Sequence, residues 1–90
     1  MKKKKTGIVS IGNDIREMFE HGYSLKVSYL NHFTIRLSHE ENKICYYDWF
    51  FTTGTIMRIE KIGKSFVNIR ENKIFDKPEE CAIYIYKQLT

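Results

Sequence analysis

Apolar and polar positions change their period twice along this chain. In "SIGNDIREMFEHG" the apolar residues Ile11, Ile15, Met18 and Phe19 recur at i, i+4, i+7 and i+8, with Asp14, Glu17 and Glu20 turned the other way. Ser10 or Asn13 offers an N-cap and Gly22 a stop, so the spacing predicts a helix near 13–21. From Tyr23 the period becomes two. Tyr23, Leu25, Val27 and Tyr29 alternate with Ser24, Lys26 and Ser28, the pattern of a half-buried strand. Asn31-His32 turns the chain, and Phe33, Ile35 and Leu37 then alternate with Thr34, Arg36 and Ser38. Polar "SHEEN" ends that second strand. Two more strands are expected over 43–51 and 55–62, and after Gly63 the stretch "KSFVNIR" reads as a fifth, shorter one.

The period returns to helical at the end. In "DKPEE", Asp76 is the expected N-cap, with Glu79 three residues on and Pro78 suited to the first turn. Cys81, Ala82, Ile85, Tyr86 and Leu89 follow at helical spacing, although "CAIYIY" is rich in β-formers and leaves a strand as the alternative. The expected fold class is α+β: an antiparallel sheet of about four to five strands flanked by an N-terminal and a C-terminal helix, in the order α-β-β-β-β-β-α. A basic tail over 1–9 precedes a single domain over 10–90.

The segment "CYYDWFFTTGTIMRI" sets one carboxylate, Asp48, among aromatic rings. Thr52-Thr53-Gly54 reads as a three-residue hairpin loop with Gly54 in the left-handed region. That loop places Phe51 opposite Thr55, Trp49 opposite Met57, Tyr47 opposite Ile59 and Asp48 opposite Arg58. The facing charges then contribute about 0.2–1 kcal/mol, and Asp48 is explained by Arg58. One face carries Tyr47, Trp49, Phe51, Met57 and Ile59 toward the core. The other carries Ile44, Tyr46, Asp48, Phe50, Ile56, Arg58 and Glu60, and two short helices cannot cover it as well. Tyr46, Asp48, Phe50 and Arg58 are therefore the candidate partner-binding residues, since exposed rings interleaved with Arg are typical of interface hot spots.

Composition changes this picture only modestly. Ninety residues make one small domain, and 42% apolar content is enough for a core. The net charge of +4 is concentrated: setting aside Lys2, Lys3, Lys4 and Lys5 leaves eleven basic residues against eleven acidic ones. Such a tail attracts phosphates weakly. With Lys61, Lys64 and Arg70, and with Tyr46, Trp49 or Phe50 to stack bases, it supports an alternative of direct nucleic-acid binding. No signal-peptide-like or membrane-spanning apolar run is present, so a cytoplasmic setting with Cys45 and Cys81 as free, buried thiols is expected.

The usual chemical signatures are missing. His21, His32, His39, Cys45 and Cys81 are scattered without metal-ligand spacing, and the histidines are expected to face solvent. Gly54 and Gly63 are single turn glycines rather than phosphate-cradling loops, and Glu40-Glu41 and Glu79-Glu80 splay into solvent. No catalytic residue, cofactor or metal is expected.

The hairpin "YYDWFFTTGTIMRI" resembles that of short phage and prophage proteins of unassigned function, which carry an aromatic-Asp-aromatic strand, a Thr-Gly turn and a second strand. Many of those have Pro before the turn, where this chain has Phe51 and Thr52. The resemblance implies a mobile-element origin and carries no functional residue across. Together with the small size and absent catalytic constellation, it suits a non-catalytic inhibitor that blocks host nucleic-acid-handling or defence machinery by protein contact, an anti-CRISPR-like role. A protein partner is thus expected first, nucleic acid second, no membrane, and a homodimer through an edge strand as a further option.

Overall fold

The computed structural model describes residues 13–90. Lys2–Lys5, Ser10 and Ile11, named above for the tail, the cap and the stripe, lie outside these residues. α1 (Asn13–Glu17) runs into a single π-helical turn, Met18–Gly22. Five strands follow: β1 (Lys26–Tyr29), β2 (Thr34–Ser38), β3 (Cys45–Phe50), β4 (Thr55–Ile62) and β5 (Ser65–Ile74). They pair in chain order as an antiparallel meander, and α2 (Pro78–Leu89) closes the fold. The α+β arrangement is the one the periodicities predict.

Both helices lie on one face of the sheet. Phe19, Leu25, Val27, Ile35, Leu37, Cys45, Tyr47, Trp49 and Ile56 meet Cys81, Ala82, Ile85 and Leu89 of α2 in a single core. The α2 contributions recur at i, i+1, i+4 and i+8, which puts them on one side of the cylinder. Ile15 and Met18 pack at the margin. Trp49 is the hub: its ring stands edge-on to Phe19 at 6.1 Å, and its indole N–H donates to the Phe75 carbonyl at 3.0 Å. That bond satisfies the one polar atom the indole takes into the core. Cys45 and Cys81 are free and buried, and burial pushes both thiols up, away from the reactive thiolate form.

Three local expectations are not met. Asp76 is not the cap of α2; Lys77 holds that position without a side-chain cap, and its carbonyl accepts from the Cys81 N–H at 3.1 Å. Pro78 in the first turn and Glu79 and Glu80 beside the positive helix end do the starting instead. β5 is the longest strand rather than a short one, continuing through polar "ENK" to Ile74. His39 is buried rather than solvent-facing, its ring edge-on to Tyr86 and its Nδ1 accepting the Glu41 N–H at 3.1 Å. His21 and His32 are exposed as expected.

The β3–β4 loop differs from expectation by one residue, with large effect. Phe50 pairs with Thr55, so the loop holds four residues, Phe51–Gly54, not three. The N–H groups of Thr53 and Gly54 both converge on the Phe50 carbonyl, at 3.1 and 2.7 Å. Phe51 turns its N–H to Phe33 instead (3.0 Å) and packs its ring 6.0 Å from Trp49. Gly54 does adopt the left-handed region, φ +85°. The end of β5 crosses directly over it: a Cβ there would lie 2.7 Å from Ile74 Cγ2 and 2.9 Å from the Phe75 oxygen, while the Phe75 N–H donates to Gly54 O at 2.8 Å. The longer loop is held both by its own bonds to Phe50 and by a segment twenty residues downstream.

Candidate functional site

A one-residue change of register moves every side chain of β4 to the other face. The observed pairs are Tyr46↔Ile59, Tyr47↔Arg58, Asp48↔Met57 and Trp49↔Ile56. Ile56, Arg58 and Glu60 therefore share the helix-covered face with Tyr47 and Trp49, whereas Met57, Ile59 and Lys61 share the outer face with Tyr46, Asp48 and Phe50. The expected placement of β4 is reversed. Trp49 and Asp48 still point to opposite sides, as expected for neighbours on one strand.

Asp48 finds its counter-ion on β2 instead. Arg36 is its direct cross-strand partner and grips it with two bonds, Nε to Oδ1 at 2.8 Å and Nη2 to Oδ2 at 3.1 Å. A planar guanidinium matches a carboxylate in this fork, so both charges are satisfied although Asp48 is only 8% exposed. The hydrogen bond to Asp48 raises the proton affinity of Arg36 above its ordinary value. Arg36 also lies over the Tyr46 ring, 4.4 Å from its centroid, and Tyr46 in turn leans on Phe66 of β5 at 5.6 Å. Tyr46, Phe50 and Met57 are half-buried, and Phe66 is 50% exposed. No described helix covers this side.

Arg58 belongs to a different constellation. On the helix side it donates from Nε to Glu60 (2.8 Å) and from Nη1 to the Tyr47 hydroxyl (2.8 Å). The Glu60 carboxylate is the main reason its charge is held so firmly. Nearby, Tyr84 of α2 stands edge-on to Tyr47 and donates its hydroxyl proton to Glu71 of β5, with the Lys73 ammonium 5.3 Å from the Tyr84 ring. Burial, and next the bond to Glu71, push the Tyr84 phenol up; burial does the same to Tyr47. These groups tie α2 to the far half of the sheet.

The structure thus brings together Tyr46, Asp48 and Phe50 of the four expected contact residues and removes Arg58. Arg36 and Phe66, which replace it, were unread in the sequence. Both stood at outward positions of their strands, but the 39–44 connection is closed by bonds of the Ile44 and Cys45 N–H groups to Asn42 Oδ1, a turn that pattern alone does not convert into a β2–β3 register. Of the residues proposed for nucleic acid, Lys61 and Arg70 are exposed on the outer face, Lys64 is at the β4–β5 turn, and Lys2–Lys5 are outside the described residues. Trp49 is buried opposite and stacks on no base. An open groove of about 590 Å³ beside β1 and β2 is lined by Glu20, Glu40, Lys26, Lys43 and His39, a rim of cancelling charges. Among the described residues no three His, Cys, Asp or Glu side chains gather as metal ligands, and no helix is long and apolar enough to cross a membrane.

No protein-family model matches the chain, and neither a curated protein nor a solved structure matches it.

Proposed function

We propose that this chain is a non-catalytic binding protein that works by protein–protein contact through the outer face of its sheet. The observation that carries this reading is the cluster of Tyr46, Phe50, Met57 and Phe66 around the Arg36–Asp48 pair on a face that no described helix covers. Rings set beside a neutralised ion pair cost little to desolvate and bury much area, which is the composition of an interface centre. The carboxylate is committed to Arg36, with no histidine or thiol within its hydrogen bonds, so it serves recognition better than proton transfer. The hairpin's likeness to phage proteins directs the proposal further, to an anti-CRISPR-like inhibitor of host nucleic-acid-handling or defence machinery, acting in the host cytoplasm.

The test is affinity capture from bacterial lysate, followed by calorimetry with the purified partner. Tyr46→Ala combined with Phe50→Ala is expected to weaken binding roughly tenfold or more, while Arg58→Ala on the covered face leaves it unchanged. Equal affinity for all three proteins removes the reading.

Direct nucleic-acid binding is the second reading, favoured by Lys61 and Arg70 flanking Phe66 on the same face. Arg36 already occupies one side of the Tyr46 ring, which leaves Phe66 as the principal stacking surface. Anisotropy of labelled single-stranded oligonucleotides at two salt concentrations separates the readings. Tight, salt-dependent binding lost in Phe66→Ala supports the second.

A further inference from the structure

Among the described residues β5 forms one edge of the sheet, with β4 as its only neighbouring strand, and nine of its ten residues are exposed. The opposite edge, β1, has four residues. The backbone of β5 has an open side that can be assigned. Lys61 N–H donates to Ile44 O, so odd-numbered residues of β4 address the β3 side and even-numbered ones address β5. Arg58, Glu60 and Ile62 pair with Ile69, Val67 and Ser65, whose backbone groups are thereby used. The N–H and C=O groups of Phe66, Asn68 and Arg70 point outward, and among the described residues nothing pairs with them. Natural edges of this length are commonly blunted by Pro, inward charge or a bulge. In β5 the irregularity opposite Thr55–Met57 falls in its second half, and Phe66–Ile69 carries no charge at all. Phe66, Val67 and Ile69 are 50%, 40% and 38% exposed.

We infer that this edge pairs with β5 of a second copy, antiparallel, about a two-fold axis at Asn68. Such an axis stands perpendicular to the sheet, so outward backbone groups meet outward backbone groups and each face continues its own kind. Charge then selects the register. Centring on Arg70 sets Arg70 against Arg70, centring on Glu71 sets Glu71 against Glu71, and centring on Val67 sets Lys64 against Arg70. Centring on Ile69 avoids like charges but places Val67 against Glu71. Centring on Asn68 places Val67 against Ile69 twice on the helix side and Phe66 against Arg70 twice on the outer side, with the two Asn68 amides facing each other. Every pair is apolar, cation–aromatic or polar, and the two Val67 and two Ile69 side chains lose water together. The result is a continuous ten-stranded sheet. This pairing uses the edge and not the Tyr46–Phe50 surface, so either proposal survives failure of the other.

Sedimentation of the full chain from micromolar to millimolar concentration tests it. The wild type is expected to dimerise, and Val67→Lys to shift the midpoint roughly tenfold or more upward, since it places a charge against Ile69 of the other copy. Circular dichroism confirms that the variant folds. Independently, Asn68→Cys is expected to give a disulfide-linked dimer on mild oxidation, because facing Cα atoms about 5.5 Å apart fall within disulfide range. The native protein, whose two cysteines are buried, is the control that does not link. A wild type that stays monomeric throughout overturns the inference and leaves the edge to a strand of another protein. A dimer that Val67→Lys leaves intact, with no Asn68→Cys cross-link, overturns it equally.

Discussion

β2 and β5 belong to the same sheet and carry comparable apolar content, "TIRLS" against "SFVNIRENKI", yet their fates differ. Ile35 and Leu37 of β2 are fully buried, whereas Phe66, Val67 and Ile69 of β5 stay largely in water. Alternation creates a face that can be buried; only a covering element buries it. The fully buried core under α1, its π-helical turn and α2 spans β1–β3 and Ile56 at the start of β4. Beyond that line the sheet is held by backbone pairing, by Arg58 on Tyr47 and Glu60, and by Tyr84 on Glu71. Phe66, Val67 and Ile69 beyond that line keep 50%, 40% and 38% of their surface in water.

The contrast can be broken at the covered end first. Trp49→Ala removes the hub and leaves a cavity, with an expected loss of about 3–5 kcal/mol in denaturant unfolding. Gly54→Ala is next, at about 1–4 kcal/mol, since it combines a left-handed backbone with a Cβ driven into Ile74 and Phe75. Asp48→Ala and Arg36→Ala each cost about 1–3 kcal/mol, by leaving a partly buried charge without its partner. A double-mutant cycle on that pair returns a coupling of about 1 kcal/mol or more, and the same cycle on Asp48 and Arg58 returns about zero. A sizeable coupling between Asp48 and Arg58 would restore the shorter loop.

At the seam between the halves the effect is smaller and depends on pH. Tyr84→Phe costs about 1 kcal/mol at neutral pH through the lost bond to Glu71. A tyrosine in the unfolded chain ionises near pH ~10, while the folded Tyr84 and Tyr47 hold their protons to higher pH. Their contribution is complete below pH ~10 and falls away as pH rises above it. Cys45 and Cys81, also held up by burial, start the decline near pH ~8.5. Denaturation curves across this alkaline range are expected to flatten in Tyr84→Phe. Smallest of all, Val67→Thr in dilute solution, where the chain is monomeric, costs below about 0.5 kcal/mol. A larger loss there would mean that β5 is covered after all.

How much of this was legible beforehand follows the reach of each signal. The order of elements, the stripe of α2 and the inward alternation of β2 are short-range patterns, and they read correctly. The length of β5 was hidden because Asn72 and Lys73 break the apolar alternation while the chain stays extended toward Phe75. The partner of Asp48 is not legible because Arg36 lies across the 39–44 connection, whose length alone does not give a register. The burial of His39 is not legible because Tyr86, whose ring stands edge-on to it, lies at the far end of the chain. The partner of Asp48 and the burial of His39 depend on residues distant in sequence, whereas the cap of α2 and the β3–β4 loop each differ by a single position.

Gly54 has a consequence for the order of events during synthesis. Its loop leaves the ribosome well before Ile74 and Phe75, the residues that lie across it. Until they arrive, the loop has only its own bonds to the Phe50 carbonyl, and the packing of Ile74 and Phe75 across Gly54 is completed only once β5 has emerged.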